Sequence, residues 1–474
     1  MSERPIWQMG AAELAAAVAA GDLSARQTVS AAVDRMHATN GKLNAVVDDL
    51  SDQALERADA IDAAIARGEP PGPLAGVPIT IKENVDQEGR PTPNGVAAFK
   101  DIIGPDDAPL VKNLQDAGAV VIGRTNTPEF SFRATTDNPL HGRTFNPWND
   151  WATSGGSSGG ASSAVMAGMG AIAHGNDIGG SVRFPAAAVG AAGIKPGLGR
   201  VPAFNPSATE ERGLLAQIMS VQGLIARTVG DLRTGFPPLI RYDPHDPWMV
   251  PMPFEGPALE GPIKVAFTKE TYEFNLSPEV DAALDAARDA LIDAGYQVEE
   301  VTPPLTREAA RDGASCLFGE IQTLMGDALL THGSDTIKSI FDSYFQLFPP
   351  AVGEDLIKGL AKRSVYVRAW NVFMQDYPLV LTPFMVSPTF KWDRDTDGVE
   401  GARDVLQSAV HSVAMNFMGL PAGNIPASYN DGLPIGVQIV SRRFREDLIL
   451  DACEAIEQRI GVMAERLFAR EAAG

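Results

Sequence analysis

The chain has 474 residues, of which 60 are Asp or Glu and 39 are Lys or Arg, for a formal net charge of −21. That length exceeds the usual size of a single core but is compatible with one large domain with an elaborated pocket region, and the acidic balance argues against nucleic acid or an anionic membrane surface as partner. Two cysteines, Cys316 and Cys453, provide neither a disulfide framework nor a metal-ligand cluster and suit a reducing compartment; Cys316 is a candidate pocket-lining residue.

The first residues, MSERPIWQMG, lack the apolar stretch of a signal peptide, and no run reaches the ~20 apolar residues of a membrane span, so a cytoplasmic protein is expected. Periodicity predicts helices over 11–39 and 52–67. The alternating run Val77 to Ile81 reads as a strand that delivers Lys82 at its end, and VVIG at 120–123 as a second strand. NPWNDWATS is a loop by every local cue, and it leads into a Gly-Ser-Ala-rich stretch from Thr153 to Pro196. Farther on, strands are predicted over 263–268, 379–382 and 435–441, with helices near 278–294, 306–330, 354–375, 401–418 and 446–459. Alternating strands and helices of this kind make an α/β pattern.

The Gly-Ser stretch carries the chemistry. Gly179-Gly180 permits a tight turn of consecutive N–H groups, and Ser181 follows it at the start of a helix-compatible run, VRFPAAAVG. A nucleophile at a helix N-terminus has donors for a developing oxyanion close by, each worth about 3 to 4 kcal/mol where measured. The N–H groups of Ile178, Gly179, Gly180 and Ser181 are the candidate donors. Ser157, flanked by Gly155-Gly156 and Gly159-Gly160, is the second glycine-flanked serine.

A serine needs a base. None of the six histidines lies in a string built for catalysis, and His174, which ends an apolar run, reads as packing beside the site. Lys82 is the better base, because burial can lower a lysine pKa far enough for it to accept a proton.

Three blocks, GVPITIKENVD around Lys82, SGGSSGGASS around Ser157 and GNDIGGSVRFPAAAVGAAGIKP around Ser181, resemble in order and separation those of the amidase signature family, serine hydrolases with a Ser-cisSer-Lys triad. The resemblance extends over nearly the whole chain, from DLSARQTVSAAVDRMHATNGKLNAVV through AGAVVIGRTNTPEFSF to LPAGNIPASYNDGLPIGVQIVSRRFRED. It implies a large mixed central sheet covered by helices on both faces, which periodicity alone does not supply. It also implies that Ser181 is acylated, that Ser157, after a cis peptide, relays the proton, and that Lys82 is general base and then acid. No metal or organic cofactor is needed in that scheme. Asp177 and Arg183 are expected to pair with each other or with backbone and so support the turn. Ser131, in TPEFSFR, is expected to approach substrate through its backbone.

The organisation expected is a single domain with a helical part at about 1–70, a catalytic core at about 71–203, a variable pocket region at about 204–375 and C-terminal core elements at about 376–474. Two departures from the family pattern stand out: Asn176 where many relatives have Thr, and Pro237-Pro238, expected to interrupt a helix. The expected activity is hydrolysis of a small-molecule amide, leaning to aryl or medium apolar acyl groups, with carbamates or esters as further substrates. Phe132, Phe204, Leu317, Phe318 and Met325 are candidate pocket residues, and a monomer or homodimer is expected.

Two competing readings remain. GGSSGG contains G-x-S-x-G, the nucleophile elbow of α/β-hydrolase esterases, but an elbow needs a hydrophobic strand before it. A glutamine-hydrolysing component of a tRNA-dependent amidotransferase would need a partner protein to supply the RNA contacts. Walker-type, dinucleotide-binding and S-x-x-K motifs do not occur.

Overall fold

The computed structural model describes residues 4–406 and 410–473. The chain begins with helices α1 Ala11–Ala20 and α2 Ala25–Leu43, strand β1 Val46–Asp49 and helix α3 Ser51–Ala66. The predicted helix over 11–39 is two helices, because Gly21 closes α1 at φ +78° and Ser24 opens α2 with a capping box. Ser24 Oγ accepts from Gln27 N–H, and Gln27 Oε1 accepts from Ser24 N–H.

Next come β2 Pro78–Lys82, α4 Pro109–Asp116, β3 Val120–Thr125, α5 Gly159–Met166, β4 Ile172–Asp177, α6 Arg183–Val189 and β5 Ala192–Lys195. They are followed by α7 Leu214–Met219, β6 Val221–Ala226, α8 Val229–Leu239, β7 Lys264–Phe267, α9 Pro278–Asp293 and β8 Gln297–Glu300. Three helices, α10 Thr306–His332, α11 Asp335–Leu347 and α12 Glu354–Asp376, precede β9 Leu379–Pro383. The last elements are α13 Gly398–Leu406, α14 Val410–Met418, the hairpin β10 Ala422–Asn430 and β11 Leu433–Ser441, then α15 Glu446–Ile460 and α16 Met463–Ala473. The predicted helix over 401–418 corresponds to α13 and α14, with residues 407–409 outside those described.

The interruption expected at Pro237-Pro238 does not occur: both lie in the last turn of α8. There each missing N–H forfeits a single bond, and Phe236 and Leu239 are wholly buried in the core, which holds the turn helical.

Among the described residues eleven strands form one mixed sheet in the order β1-β3-β2-β4-β6-β5-β10-β11-β9-β7-β8. β2 runs parallel to β3 and β4, and β7 runs parallel to β8 and β9, while the central pairs are antiparallel. The two-residue period of a strand sends alternate side chains to opposite faces. Val265 and Phe267 of β7, Leu379 and Leu381 of β9 and Val437 and Ile439 of β11 join one core with α8, α9 and α15. Ala266, Val380 and Val440, their neighbours in sequence, join a second core with α10, α12 and α14. Both faces are therefore covered by helices. Among the described residues no helix is long and apolar enough to cross a membrane.

Candidate active site

The alternating run from Val77 ends at Lys82 in the interior of the sheet, where β3 and β4 flank β2 on either side. Lys82 is fully buried, and its Nζ donates to Ser157 Oγ at 2.7 Å, Asn176 Oδ1 at 2.9 Å and Ser158 Oγ at 3.2 Å. All three acceptors are neutral, so they orient the amine without compensating a charge. Burial lowers its pKa from 10.5 to about 7, against the opposing pull of Asp177 and Glu83. Asn176 is itself held by Asn84, whose Oδ1 accepts from Asn176 Nδ2 at 2.8 Å. His174 sits behind the strand: its Nδ1 accepts from Lys82 N–H at 3.4 Å and its Nε2 faces Gln222 Oε1 at 2.9 Å. Burial brings its pKa down to about 3, so the ring stays neutral, packed against the site and not in it.

Ser157 precedes α5, and the Gly156–Ser157 peptide is cis. Glycine is required before it because backbone segments meet there. A Cβ on Gly155, at φ +83°, would lie 2.4 Å from Pro185 Cα, and one on Gly156 would lie 2.3 Å from Arg133 O. No strand enters this turn: between Ser131 and α5 the chain makes only isolated bridges, such as Phe145 with Thr153. The nucleophile-elbow arrangement is absent for that reason.

Ser181 lies on the turn that joins β4 to α6, half-buried, and its carbonyl accepts from Ser158 N–H at 3.2 Å. Asp177 shapes this turn: its carboxylate accepts from Gly180 N–H at 2.8 Å, Val182 N–H at 3.1 Å and Arg183 Nε at 3.0 Å. Arg183 also donates to Gln438 Oε1 at 2.7 Å and Asn416 Oδ1 at 2.5 Å. Asp177 and Arg183 are both fully buried and pair with each other. The guanidinium holds the Asp177 carboxyl far below the ordinary range. Gly180 N–H is thus committed to Asp177, whereas the N–H groups of Ile178, Gly179 and Ser181 donate to no protein group among the described residues.

A cavity of about 110 Å3 opens above Ser181, with Ile178, Gly179, Gly180 and Ser131 at its polar edge. Ser131 and the preceding Phe130 both have positive φ, +58° and +54°, an unusual conformation for two successive side-chain-bearing residues. The Ser131 hydroxyl is used elsewhere, bonding Asn94 Oδ1 at 2.6 Å and accepting from Asn84 Nδ2 at 3.0 Å. The walls are apolar: Phe132, Phe184, Leu317, Phe318, Phe348 and Phe384 among them. Two roomier clefts, of about 530 and 350 Å3, do not include Ser181.

Of the candidate pocket residues, Phe132, Leu317 and Phe318 line this cavity and two others do not. Phe204 instead stacks on His245 with ring centroids 5.1 Å apart, and Met325 packs on the helical core. Cys316 also faces away from the cavity, towards Gly359 of α12, where a Cβ would come within 2.3 Å of its Sγ. The wall also draws on Phe384, Met385 and Val413, beyond the region expected to shape the pocket.

The profile of the Amidase family matches residues 27–450. The chain belongs to the amidase signature family. Among its relatives in that family, an indoleacetamide hydrolase of Bradyrhizobium diazoefficiens is 49% identical over 465 residues, covering 98% of this chain and 89% of that protein. An acylamidase of Rhodococcus erythropolis is 32% identical over 466 residues, covering 95% of each chain. A bacterial aryl acylamidase of known structure superposes with a TM-score of 0.84 at 26% identity, covering 98% of this chain and 99% of its own. This amidase signature protein is an amidohydrolase that acts on the linear amide bond of a small molecule.

Proposed function

We propose that the enzyme hydrolyses primary amides of arylacetic acids, of which indole-3-acetamide is the prototype, through an acyl-enzyme on Ser181. The observation that carries this reading is an aromatic-walled cavity lined by Ser181, together with a buried lysine, hydrogen-bonded to Ser157, whose pKa is about 7. A flat apolar acyl group suits such walls, while the polar side chain of glutamine would be desolvated among phenylalanines without partners. The 49% identity to an indoleacetamide hydrolase over nearly the whole chain supports the same substrate class.

In this mechanism Ser181 Oγ attacks the amide carbon while its proton passes to Ser157, and Ser157 passes its own to neutral Lys82. Among the described residues Ser181 Oγ and Ser157 Oγ share no hydrogen bond, and the relay requires them to close on each other when substrate docks. The carbonyl oxygen, now negative, is met by the N–H groups of Ile178, Gly179 and Ser181, and Gly180 contributes by closing the turn on Asp177. Lys82 then returns the proton through Ser157 to the amide nitrogen, the C–N bond breaks and ammonia leaves. Water repeats the sequence on the acyl-enzyme and releases the carboxylate.

The test is ammonia release by the purified chain alone from indole-3-acetamide, phenylacetamide, propionamide and glutamine. Turnover of the two arylacetamides at kcat/KM at least 10-fold above the others is expected. Glutamine hydrolysis that appears only with a partner protein would overturn the reading.

A further inference from the structure

One polar group in the apolar wall has no partner. Tyr344, on α11, is 2% exposed and lines the cavity above Ser181, yet its hydroxyl makes no hydrogen bond among the described residues. Its ring neighbours give it none: Phe318 and Phe341 lie with centroids 5.8 and 6.0 Å away. The nearby charges are already engaged with each other. Arg133 Nε and Nη2 donate to the two oxygens of Asp395 at 2.9 Å each, in a buried bidentate pair. Burial and the Asp395 carboxylate push the phenol pKa up, so the O–H is retained at working pH.

A buried hydroxyl without a partner is destabilising, and a phenylalanine would fill the same space without that cost. Such a group is explained if a ligand supplies the partner. The other side chains around it are apolar except Arg133, whose guanidinium is committed to Asp395, so a partner has to come from the acyl group of a bound substrate.

Resting on the arylacetamide reading, we propose that the Tyr344 hydroxyl is the specificity-determining contact for the acyl ring, accepting a hydrogen bond from a ring N–H such as that of indole. The apolar walls hold any flat bicyclic ring, and Tyr344 selects the one that carries a donor. A site built around such a bond discriminates against the analogue lacking the donor, which leaves the buried hydroxyl unpaired.

The experiment compares indole-3-acetamide with 1-methylindole-3-acetamide, 1-naphthaleneacetamide and phenylacetamide on the full chain and on Tyr344→Phe. Wild-type kcat/KM is expected to favour indole-3-acetamide over 1-naphthaleneacetamide by at least 10-fold. Tyr344→Phe is expected to lose about that factor on indole-3-acetamide alone, with the naphthalene and phenyl substrates within twofold of wild type. A uniform loss on all substrates would make Tyr344 a packing residue and overturn the proposal, as would an unchanged indole preference. Should the variant fail to fold, the wild-type ratio still decides: equal turnover of the indole and naphthalene amides refutes the contact but leaves the arylacetamide reading intact. Wild-type enzyme inactive on every arylacetamide refutes both.

Discussion

Among the described residues no carboxylate touches Lys82, which suits it to the proposed role of base. Its Nζ meets only Ser157, Ser158 and Asn176, so burial prevails and the amine titrates near 7 rather than in the usual lysine range. A base acts in its deprotonated form, so kcat/KM is expected to rise with pH through about 7 and level off above it, as ammonia release measured from pH 5 to 9 would reveal. Lys82→Met should lower the rate by about 10²- to 10⁴-fold and abolish that inflection; an inflection that persists in the variant would assign it to another group. Lys195 is driven to about 7 by the same burial, but it donates to Pro196 O and has no path to Ser157. Ser181→Ala should end labelling by a fluorophosphonate probe, detected by mass spectrometry, whereas adducts retained in that variant would place the nucleophile elsewhere. Lys82, Ser157 and Ser181 could be singled out as candidates because each sits in a short glycine-rich or strand-terminal string whose residue types have few other uses. Asn84 and Ser158 were not: an Asn after a strand and a Ser in a serine run carry no local signal, and only the fold brings one to Asn176 and the other to Lys82.

At the level of elements, the site is a set of turns pressed together with almost no side chains between them. Gly155 and Gly156 lie against Pro185 of α6 and Arg133, which is why the stretch that looks flexible in sequence is among the most buried parts of the chain. Gly155→Ala combines a left-handed φ with a backbone clash, and a loss of about 2 kcal/mol or more is expected in urea unfolding, with activity falling alongside. The same substitution at Gly432, which also has positive φ but open space around it, should cost only the left-handed backbone penalty of about 1 to 2 kcal/mol. Element boundaries were readable wherever periodicity is strong, as for β9, β11 and α9. The split between α1 and α2 and the passage of α8 through two prolines were decided by a capping box and by core burial. The cavity wall was the least legible part, since Tyr344, Phe348 and Phe384 carry the same apolar signature as any core residue. Their special position comes from the packing of α11 and the segment after β9 over the turn that holds Ser181.

On the scale of the whole molecule, the buried Asp177–Arg183 pair ties the Ser181 turn to distant parts of the chain. Asp177 and Arg183 belong to the Ser181 turn, yet between them they bond to Asn416 of α14 and Gln438 of β11. Arg183→Met would leave Asp177 as an uncompensated buried charge, and a loss of about 3 to 5 kcal/mol is expected by thermal or urea unfolding. The pH dependence follows from the sign of the shift. Because the folded carboxyl titrates far below its ordinary value of 3.8, its contribution is full above that value and is lost as the solution is acidified past it. The wild type should therefore lose stability steeply below about pH 4, and the Arg183→Met variant less so. The links from this pair to Asn416 and Gln438 also bear on how the enzyme comes into being. All three catalytic candidates precede residue 182, but the turn that aims Ser181 is braced by residues emerging from the ribosome more than two hundred positions later. On the proposed mechanism a nascent chain that has exposed Ser181 but not yet Asn416 and Gln438 would be inert, and recovery of hydrolysis on refolding would report the closing of the C-terminal elements onto the turn rather than the formation of the first strands.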